Sequence, residues 1–232
     1  MSKIAIIGAM DLEVDALKGQ MQLDQQITRA GMTFCEGTLN GANVVIVKSG
    51  IGKVNAGICV QILADLFHVT HVINTGIAGS LNADLDIGDI LISTDAVYHD
   101  FDATIFGYAP GQVPGTPAAE FTADPHMIAM AMESCRAVNP DITCRTGRIV
   151  TGDQFVSSKE MKERLIDCFK GFCTEMEGAA IAHAASLNDL PFVIIRAISD
   201  KADDSAEMDY PTFEQMAARN SAKLVADLVK RL

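Results

Sequence analysis

Short apolar runs alternate with helical stretches along this chain, and no other feature restricts its fold as strongly. A buried strand is predicted over residues 3–8 and a helix over about 10–19. Further strands are predicted over 71–75, 90–98, 143–151 and 192–199, and further helices over about 53–67 and 212–232. Repeated strand–helix alternation is typical of an α/β fold around a central sheet.

Two local observations refine this fold. Asn40-Gly41 separates two runs rich in β-forming residues and favours positive φ, which predicts a hairpin over 32–48. No Ser/Gly-rich linker or internal repeat divides the chain, so we predict one domain over residues 1–232.

The charge balance argues against several classes of partner. The 232 residues include 18 Lys and Arg against 30 Asp and Glu, which gives a net charge of −12. Binding to nucleic acid needs clustered basic side chains, and the chain has no basic run. Its apolar runs are far shorter than the roughly 20 residues that span a bilayer, and its first residues lack the plan of a signal peptide. We therefore expect no nucleic acid, no membrane and a cytoplasmic location.

The cysteines and histidines give no sign of a disulfide framework or a metal site. The six cysteines form no CxxC pair and several lie in apolar stretches, so reduced and mostly buried thiols are predicted. His68 and His71 have an HxxH spacing, but no Glu or Cys partner accompanies them.

An aromatic segment lies between the predicted elements. Residues 98–108 contain four of the 13 aromatic residues, and three of the seven prolines follow at 110, 114 and 117. Such a loop is typical of a lid, a binding wall or an interface, and the alternative is a surface loop packed on itself.

Glu13 is a carboxylate in an apolar position. When the first helix is projected at about 100° per residue, Asp11, Asp15 and Lys18 share one face, whereas Glu13 falls within the apolar arc. The first turn of a helix favours an anion, and a lone carboxylate among apolar neighbours is costly unless it is paired or protonated. This favours a site role over the alternative, a glutamate at the edge of the arc that reaches solvent.

Glu177 begins the stretch EGAAIAHAAS, whose small and apolar residues are typical of a buried helix. Two interpretations stay open. Thr174-x-x-Glu177 fits a capping box, in which Glu177 closes the start of the helix. Alternatively, Glu177 is a site carboxylate that binds sugar hydroxyl groups.

Asp200 follows the apolar run FVIIRAIS, at the exit of a predicted buried strand, where α/β proteins bind ligands. The alternative is a helix cap or turn residue, and nearby Asp203 and Asp204 could serve as well. Arg196 lies inside the same run, and a buried guanidinium needs a carboxylate partner. We expect that partner to be Glu13, Glu177 or Asp200.

Two glycine-rich stretches are weak indications of a small ligand. Residues 49–53, SGIGK, imitate a phosphate-binding loop, but Val47 and Val54 occupy positions that this motif reserves for Gly and for Ser or Thr. Asn55 likewise replaces the third glycine of a dinucleotide-binding motif. Residues 76–79 follow a predicted strand, and we expect a turn there in which the backbone approaches a ligand closely.

Seven stretches run in order over residues 7–203: IGAMDLEV, KSGIGKVNAG, NTGIAG, YHDFDATIFGYAPGQVPG, TGDQF, EMEGAAIAH and RAISDKAD. Together they resemble the 5′-methylthioadenosine/S-adenosylhomocysteine nucleosidases of the purine nucleoside phosphorylase-like superfamily. The resemblance implies a nucleoside phosphorylase-like α/β fold with a central mixed, twisted sheet flanked by helices. It also implies hydrolysis of the N-glycosidic bond of an adenine nucleoside thioether, without a cofactor or a metal.

The resemblance assigns a role to each matching residue. Glu13 would activate the hydrolytic water, and Asp200 would protonate adenine N7 with support from Ser199. Arg196 would help to orient the water and Glu13. The other residues would bind the substrate: Glu177 and Met176 the ribose, Phe155 and the Val156 backbone the adenine, Ile51, Met10 and Tyr210 the 5′-alkylthio group, and Gly79 the ligand through its backbone.

The resemblance further implies a homodimer in which Phe106 and Pro114 complete the partner's pocket. One position departs from the family pattern, because residue 77 is Ile where several relatives carry Ser. This removes a possible polar contact near the ribose and leaves the chemistry unchanged.

The implied chemistry suits these residue types. Cleavage of an N-glycosidic bond places positive charge on the sugar and negative charge on adenine, and an acid at N7 contributes roughly 10²–10⁴-fold. Asp200 would need a pKa raised by desolvation, whereas the helix N-terminus and Arg196 would keep Glu13 ionised.

Two other functions are weighed against this one. A nucleoside phosphorylase would use phosphate as its nucleophile, which a carboxylate at position 13 would repel. A protein that only binds adenosine-like ligands would not need acids at both 13 and 200.

Four substrates would present adenine and ribose with different 5′ groups: methylthioadenosine, S-adenosylhomocysteine, 5′-deoxyadenosine and a modified futalosine.

Overall fold

The computed structural model describes residues 2–203 and 206–232, in which ten strands and six α-helices occur. The strands are β1 (Lys3–Gly8), β2 (Gln22–Arg29), β3 (Met32–Leu39), β4 (Ala42–Lys48), β5 (His71–Ser80), β6 (Ile90–Tyr98), β7 (Glu120–Thr122), β8 (Cys144–Thr151), β9 (Cys173–Glu175) and β10 (Phe192–Asp200). The helices are α1 (Asp11–Lys18), α2 (Lys53–Phe67), α3 (Pro125–Val138), α4 (Lys159–Phe169), α5 (Gly178–Leu187) and α6 (Ala206–Leu228).

All ten strands belong to one mixed sheet. Its outer part runs β2-β3-β4-β1-β5, where β3 is antiparallel to both neighbours and β1 is parallel to β4 and β5. From β5 the pairings continue through β10, β6, β8 and β9 and return to β5, so that these five strands form a closed ring. The predicted α/β fold with a mixed sheet and flanking helices is confirmed.

Helices cover both faces of the sheet, which explains why its central strands are apolar throughout. On β1, Ala5 and Ile7 pack into a core shared with α2 and α5, whereas Ile4 and Ile6 pack into a core shared with α1, α3 and α6. Side chains alternate between faces along a strand. A strand covered on both faces is therefore a continuous apolar run, which makes β1 and β10 recognisable in the sequence.

The stretch 76–79 is not a turn. β5 continues to Ser80, so the prediction that the chain leaves the strand after Thr75 is wrong. β10 pairs with β5 along this stretch, and β9 pairs with Gly79 and Ser80 at the end of β5. These two ladders keep the glycine-rich segment extended inside the ring.

Three strands do not follow the periodicity rules used for prediction. β2 is exposed at all but one position and has no apolar alternation, and it is held as an edge strand by its pairing with β3. β7 and β9 are only three residues long. Helix α6 begins at Ala206, six residues before its predicted start, and contains Pro211.

Three parallel neighbours gather the site. β1, β5 and β10 are adjacent and point the same way, so their carboxyl ends lie at one edge of the sheet. Helix α1 begins three residues after β1, and β10 ends at Asp200. This edge is where α/β proteins bind ligands.

The remaining expectations concern cysteines and membrane spans. All six thiols are free, and four of them are buried, as predicted. In residues 2–203 and 206–232, no helix combines the length and the apolar character that crossing a bilayer requires.

Gly41 provides a test of the predicted hairpin, which is formed by β3 and β4. Gly41 has φ 89° and Asn40 has φ 51°, and a Cβ at Gly41 would meet no atom within 4 Å. Gly41→Ala therefore tests the backbone conformation alone, and we expect the free energy of unfolding to fall by about 1 kcal/mol.

Gly19→Ala is the control for conformation, because Gly19 has φ −67°, which any residue adopts, and a Cβ there would meet the carbonyl oxygens of Asp15 at 3.3 Å and Ala16 at 3.9 Å. Denaturant unfolding of the two variants is the measurement, with little or no loss expected for the control. A loss at Gly19 as large as that at Gly41 would contradict the explanation by backbone conformation.

Candidate active site

The carboxyl ends of β1, β5 and β10 border a cleft of about 660 Å³, part of which is continuous with solvent. Eleven of the fourteen residues predicted for the site line this cleft: Met10, Glu13, Ile51, Gly79, Phe155, Val156, Met176, Glu177, Ser199, Asp200 and Tyr210. The other three, Arg196, Phe106 and Pro114, are not among its lining residues.

Glu13 is buried, with 4% of its surface exposed, so it does not reach solvent at the edge of α1. Its Oε2 atom accepts hydrogen bonds from the N–H groups of Ala9, at 2.6 Å, and Met10, at 3.0 Å. Its Oε1 atom accepts one from the N–H of Ile77 on β5, at 3.1 Å. The carboxylate thus closes the start of α1 and bridges to β5 at the same time.

The ionisation of Glu13 differs from the expectation. Burial raises the pKa of Glu13, even though the Arg196 charge and the three backbone N–H groups act to lower it. The helix N-terminus and Arg196 have the predicted effect, but desolvation outweighs them. A raised pKa makes Glu13 a better acceptor for a proton near neutral pH.

Asp200 is buried at the end of β10 and is held at both oxygens. Oδ1 accepts a hydrogen bond from the N–H of Ala202, and Oδ2 accepts one from the Ser199 hydroxyl, each at 2.8 Å. Asp203 forms an ion pair with Lys162 at 3.2 Å, and Asp203 is not a lining residue of the cleft. Asp204 lies outside the described residues.

Two glycines of β5 make room for these acids. A Cβ at Gly76 would lie 2.5 Å from Glu13 Oε1, and one at Gly79 would lie 2.7 Å from Asp200 Oδ1. Gly76 and Gly79 are three residues apart on an extended strand, which spans about 10 Å. The two carboxylates therefore lie against the same strand at separate points.

Of the two interpretations of Glu177, the capping box is wrong, because its side chain makes no capping hydrogen bond at the start of α5. Thr174 belongs to β9, and Glu177 is itself the residue before the first turn of α5. Its Oε1 atom accepts a hydrogen bond from the Gly52 N–H at 2.8 Å. Burial, followed by the negative charge of Glu175, raises the pKa of Glu177 to about 8.

Arg196 has a different partner from those predicted. The fully buried guanidinium forms an ion pair with Glu175, not with Glu13, Glu177 or Asp200. The same nitrogen donates to Asn74 Oδ1 at 2.5 Å. The partner was missed because β9, which carries Glu175, is too short to be predicted and joins the ring beside β5.

One wall of the cleft is apolar, and its side chains contact one another. The rings of Phe155 and Tyr210 meet edge to face with centroids 5.7 Å apart. The Tyr210 hydroxyl donates a hydrogen bond to Met10 Sδ at 3.4 Å. Phe155 and Ile51 are each about half exposed, at 51% and 53%.

The aromatic segment divides into buried and exposed parts. Tyr98 ends β6 and is buried, whereas Phe106 is 80% exposed and Pro114 is also exposed. Neither Phe106 nor Pro114 completes the cleft of its own chain. No residue of 98–117 lines the cleft of its own chain, so the segment does not form a lid on that cleft.

Several lining residues escaped prediction: Ala9, Ala78, Gln154, Thr174 and Glu175. Glu175 stands inside the quoted stretch EMEGAAIAH, but no periodicity separates its environment from that of Glu177. Gly52 contributes through its backbone N–H, for which the sequence offers only the nearby glycine-rich stretch as a signal.

The cleft is acidic. Glu13, Glu175, Glu177 and Asp200 line it, and none of the described lining residues is Lys or Arg. Such a cleft favours a neutral ligand or one that gains positive charge, and it disfavours an anion.

Comparisons with known proteins agree with this geometry. The family model for the phosphorylase superfamily matches residues 3–230. The 5′-methylthioadenosine/S-adenosylhomocysteine nucleosidase of Halalkalibacterium halodurans is 45% identical over 233 residues, with both chains covered in full.

Two solved structures are equally similar in fold. The nucleosidase of the same name from Neisseria meningitidis, in complex with methylthio-immucillin-A, is 41% identical with a TM-score of 0.96, and both chains are fully covered. That from Colwellia psychrerythraea 34H, in complex with adenine, is also 41% identical with a TM-score of 0.96, over all of this chain and 96% of the other. The chain belongs to the phosphorylase superfamily and, within it, to the 5′-methylthioadenosine/S-adenosylhomocysteine nucleosidases.

Proposed function

We propose that this chain hydrolyses the N-glycosidic bond of 5′-methylthioadenosine and S-adenosylhomocysteine, with Asp200 as the acid and Glu13 as the base. The products are adenine and the 5-thioribose compound. The observation that carries the proposal is the pair of buried carboxylates, Glu13 and Asp200, that border one acidic cleft against the same strand.

In the proposed mechanism Asp200 donates a proton to adenine N7 as the glycosidic bond breaks. Ser199 and the Ala202 N–H hold its carboxyl group in one orientation. Glu13 accepts a proton from the attacking water, and its raised pKa suits that role. Positive charge that develops on the ribose is stabilised by the surrounding carboxylates.

The remaining lining residues fit the parts of such a substrate. Glu177 would accept hydrogen bonds from the ribose hydroxyl groups, and Phe155 would stack on adenine next to the Val156 backbone. Met10, Ile51 and Tyr210 form an apolar wall that suits an alkylthio group. Ile77 contributes an apolar side chain to the cleft, and its N–H holds Glu13.

Hydrolysis is favoured over phosphorolysis by charge. Phosphate would have to enter a cleft lined by four carboxylates, with no Lys or Arg among the described residues that line it. The buried guanidinium of Arg196 is already bound to Glu175 and Asn74. Water, which carries no charge, meets no such barrier.

The deciding experiment is incubation of the purified protein with methylthioadenosine in phosphate-free buffer. Release of adenine and the methylthio sugar supports hydrolysis. Turnover that requires phosphate, or a sugar 1-phosphate product, would replace it with phosphorolysis. No adenine from methylthioadenosine, S-adenosylhomocysteine, 5′-deoxyadenosine or a modified futalosine would refute the proposal.

We also propose that the chain acts as a homodimer in the cytoplasm. Phe106 and its neighbour Ile105 are 80% and 88% exposed, and Val54 on α2 is 73% exposed, so these apolar side chains are accessible to a second subunit. Six free thiols are typical of a reducing compartment.

The two acids can be tested by isosteric replacement. Glu13→Gln and Asp200→Asn should each lower kcat by roughly 10²–10⁴-fold, because each removes one proton transfer. Glu36→Gln is the control, since Glu36 is a partly buried carboxylate paired with Lys3 outside the cleft. Adenine release is measured alongside circular dichroism, and near-normal activity in either folded acid variant would contradict its assigned role.

Glu177→Gln separates sugar binding from stability. Above pH 8, where Glu177 is ionised, the amide lacks the charge that strengthens hydrogen bonds to hydroxyl groups, so kcat/KM should fall there about 10- to 150-fold, or about 1.5–3 kcal/mol. The substitution should also remove a pH dependence of the free energy of unfolding. With its pKa raised to about 8, native Glu177 keeps a proton that the unfolded chain releases, so its contribution is lost as pH rises from about 4.5 to 8.

The melting temperature should therefore fall less for Glu177→Gln than for the wild type between pH 5 and pH 9. Parallel pH dependences of the two proteins would contradict the raised pKa. Unchanged kcat/KM would contradict the role in ribose binding.

The dimer can be tested by complementation. Phe106→Ala should lower kcat/KM about 10-fold or more, the scale of a lost buried aromatic contact. Coexpressed with Glu13→Gln, it should regain activity, because the pocket with intact Glu13 receives Phe106 from the other subunit. Glu13→Gln with Asp200→Asn is the control, since both lie in one pocket and no rescue is expected. Absence of rescue in a confirmed heterodimer would contradict the shared pocket.

A further inference from the structure

Glu175 contacts several parts of the site at once, although no sequence pattern selects it. It is buried on β9, next to the strand that carries Glu13's partner Ile77. Its Oε1 atom accepts a hydrogen bond from the Thr151 hydroxyl. Its Oε2 atom accepts from Arg196 and from the N–H groups of Glu177 and Gly178, the latter two at 3.1 Å and 2.7 Å.

These contacts make Glu175 the cap of α5. The first N–H groups of a helix have no partner inside the helix. Glu175 accepts those of Glu177 and Gly178, and the Thr151 hydroxyl accepts that of Ala179 at 2.8 Å. Glu175 thus performs the capping that was one of the two interpretations of Glu177, and the Glu177 carboxylate accepts a hydrogen bond from the Gly52 N–H instead.

A carboxylate has about four acceptor positions, and Glu175 receives four hydrogen bonds from the protein. Although Glu175 lines the cleft, little capacity is left for a ligand. Its effect on the reaction must therefore pass through the residues that it holds.

We propose that Glu175 is a positioning residue for the reaction: it fixes Arg196, Thr151 and the first turn of α5 as one unit and so directs Glu177 into the cleft. This inference rests on the proposed function, because it assigns Glu177 to the ribose. The negative charge of Glu175 also acts on Glu177, in addition to the contacts that hold the first turn of α5.

That role follows from the charges around Glu177. Glu175 on β9 and Glu13 on α1 raise the pKa of Glu177, whereas Arg196 on β10 and the Gly52 N–H lower it, after burial as the largest cause. Removal of the Glu175 charge takes away one negative neighbour and frees Arg196 from its ion pair. Both changes favour ionised Glu177, so its pKa should fall.

Glu175→Gln and Glu175→Asp separate charge from geometry. Both should lower kcat/KM, by up to about 100-fold, the scale for misplacement by about 1 Å. In Glu175→Gln, the limb of the kcat/KM profile that rises as Glu177 loses its proton should also move to lower pH. In Glu175→Asp, which keeps the charge on a shorter side chain, that limb should stay near its wild-type position.

Asp95→Asn is the matched control. Asp95 pairs with Arg148 on the neighbouring strand, and neither residue lines the cleft. This variant should lose stability while keeping the wild-type kcat/KM and pH profile, which is the behaviour expected of a carboxylate with a purely structural role.

Three outcomes would overturn the proposal. The first is a wild-type kcat/KM in folded Glu175→Gln, and the second is lost activity in that variant with an unmoved limb. If Glu175→Gln does not fold, Glu175→Asp decides, and a wild-type kcat/KM there is the third. If the wild-type protein releases no adenine, the proposed function itself is wrong. If the wild type is active and both Glu175 variants have the same activity, only the proposed role of Glu175 is wrong.

Discussion

The start of helix α5 is the constraint on which the cleft depends. A buried helix end must find acceptors for its free N–H groups, and unsatisfied groups cost about 1–3 kcal/mol each. Here Glu175 and Thr151 supply those acceptors. Glu175 could not remain buried as an anion without a counter-charge, which Arg196 provides. The ion pair between Arg196 and Glu175 therefore allows a buried carboxylate to accept the free N–H groups at the start of α5, and the Glu177 side chain remains available to a ligand.

The backbone of β5 imposes a second constraint. Gly76 and Gly79 leave the space that Glu13 and Asp200 occupy, and a methyl group at either position would overlap a carboxylate oxygen. The glycines therefore serve close approach inside an extended strand, not a change of chain direction. This explains how two acids can be buried at one strand without displacing the ladders with β10 and β9.

Sequence patterns predict those features that depend on local periodicity. The bounds of β1, α2 and β6 agree with prediction because the apolar residues of each element mark the positions that other elements cover. Glu13 is found by helical projection and Asp200 by its place after an apolar run. The partner of Arg196 and the cap of α5 are not found, because both depend on β9 closing the ring beside β5. That closure is a long-range pairing, for which three residues carry no periodic signal.

The acidity of the cleft links these features to the reaction. Four carboxyl groups around one cavity are unfavourable when all are ionised in the free protein, and burial raises the pKa of Glu13 and Glu177. When a glycosidic bond breaks, the sugar gains positive charge, and Glu13 and Glu177 in their ionised forms become stabilising. The interactions are then stronger in the transition state than in the ground state, which is the condition for catalysis. A site that is costly when empty and favourable only during bond cleavage gives a physical reason why this fold keeps so many acids together.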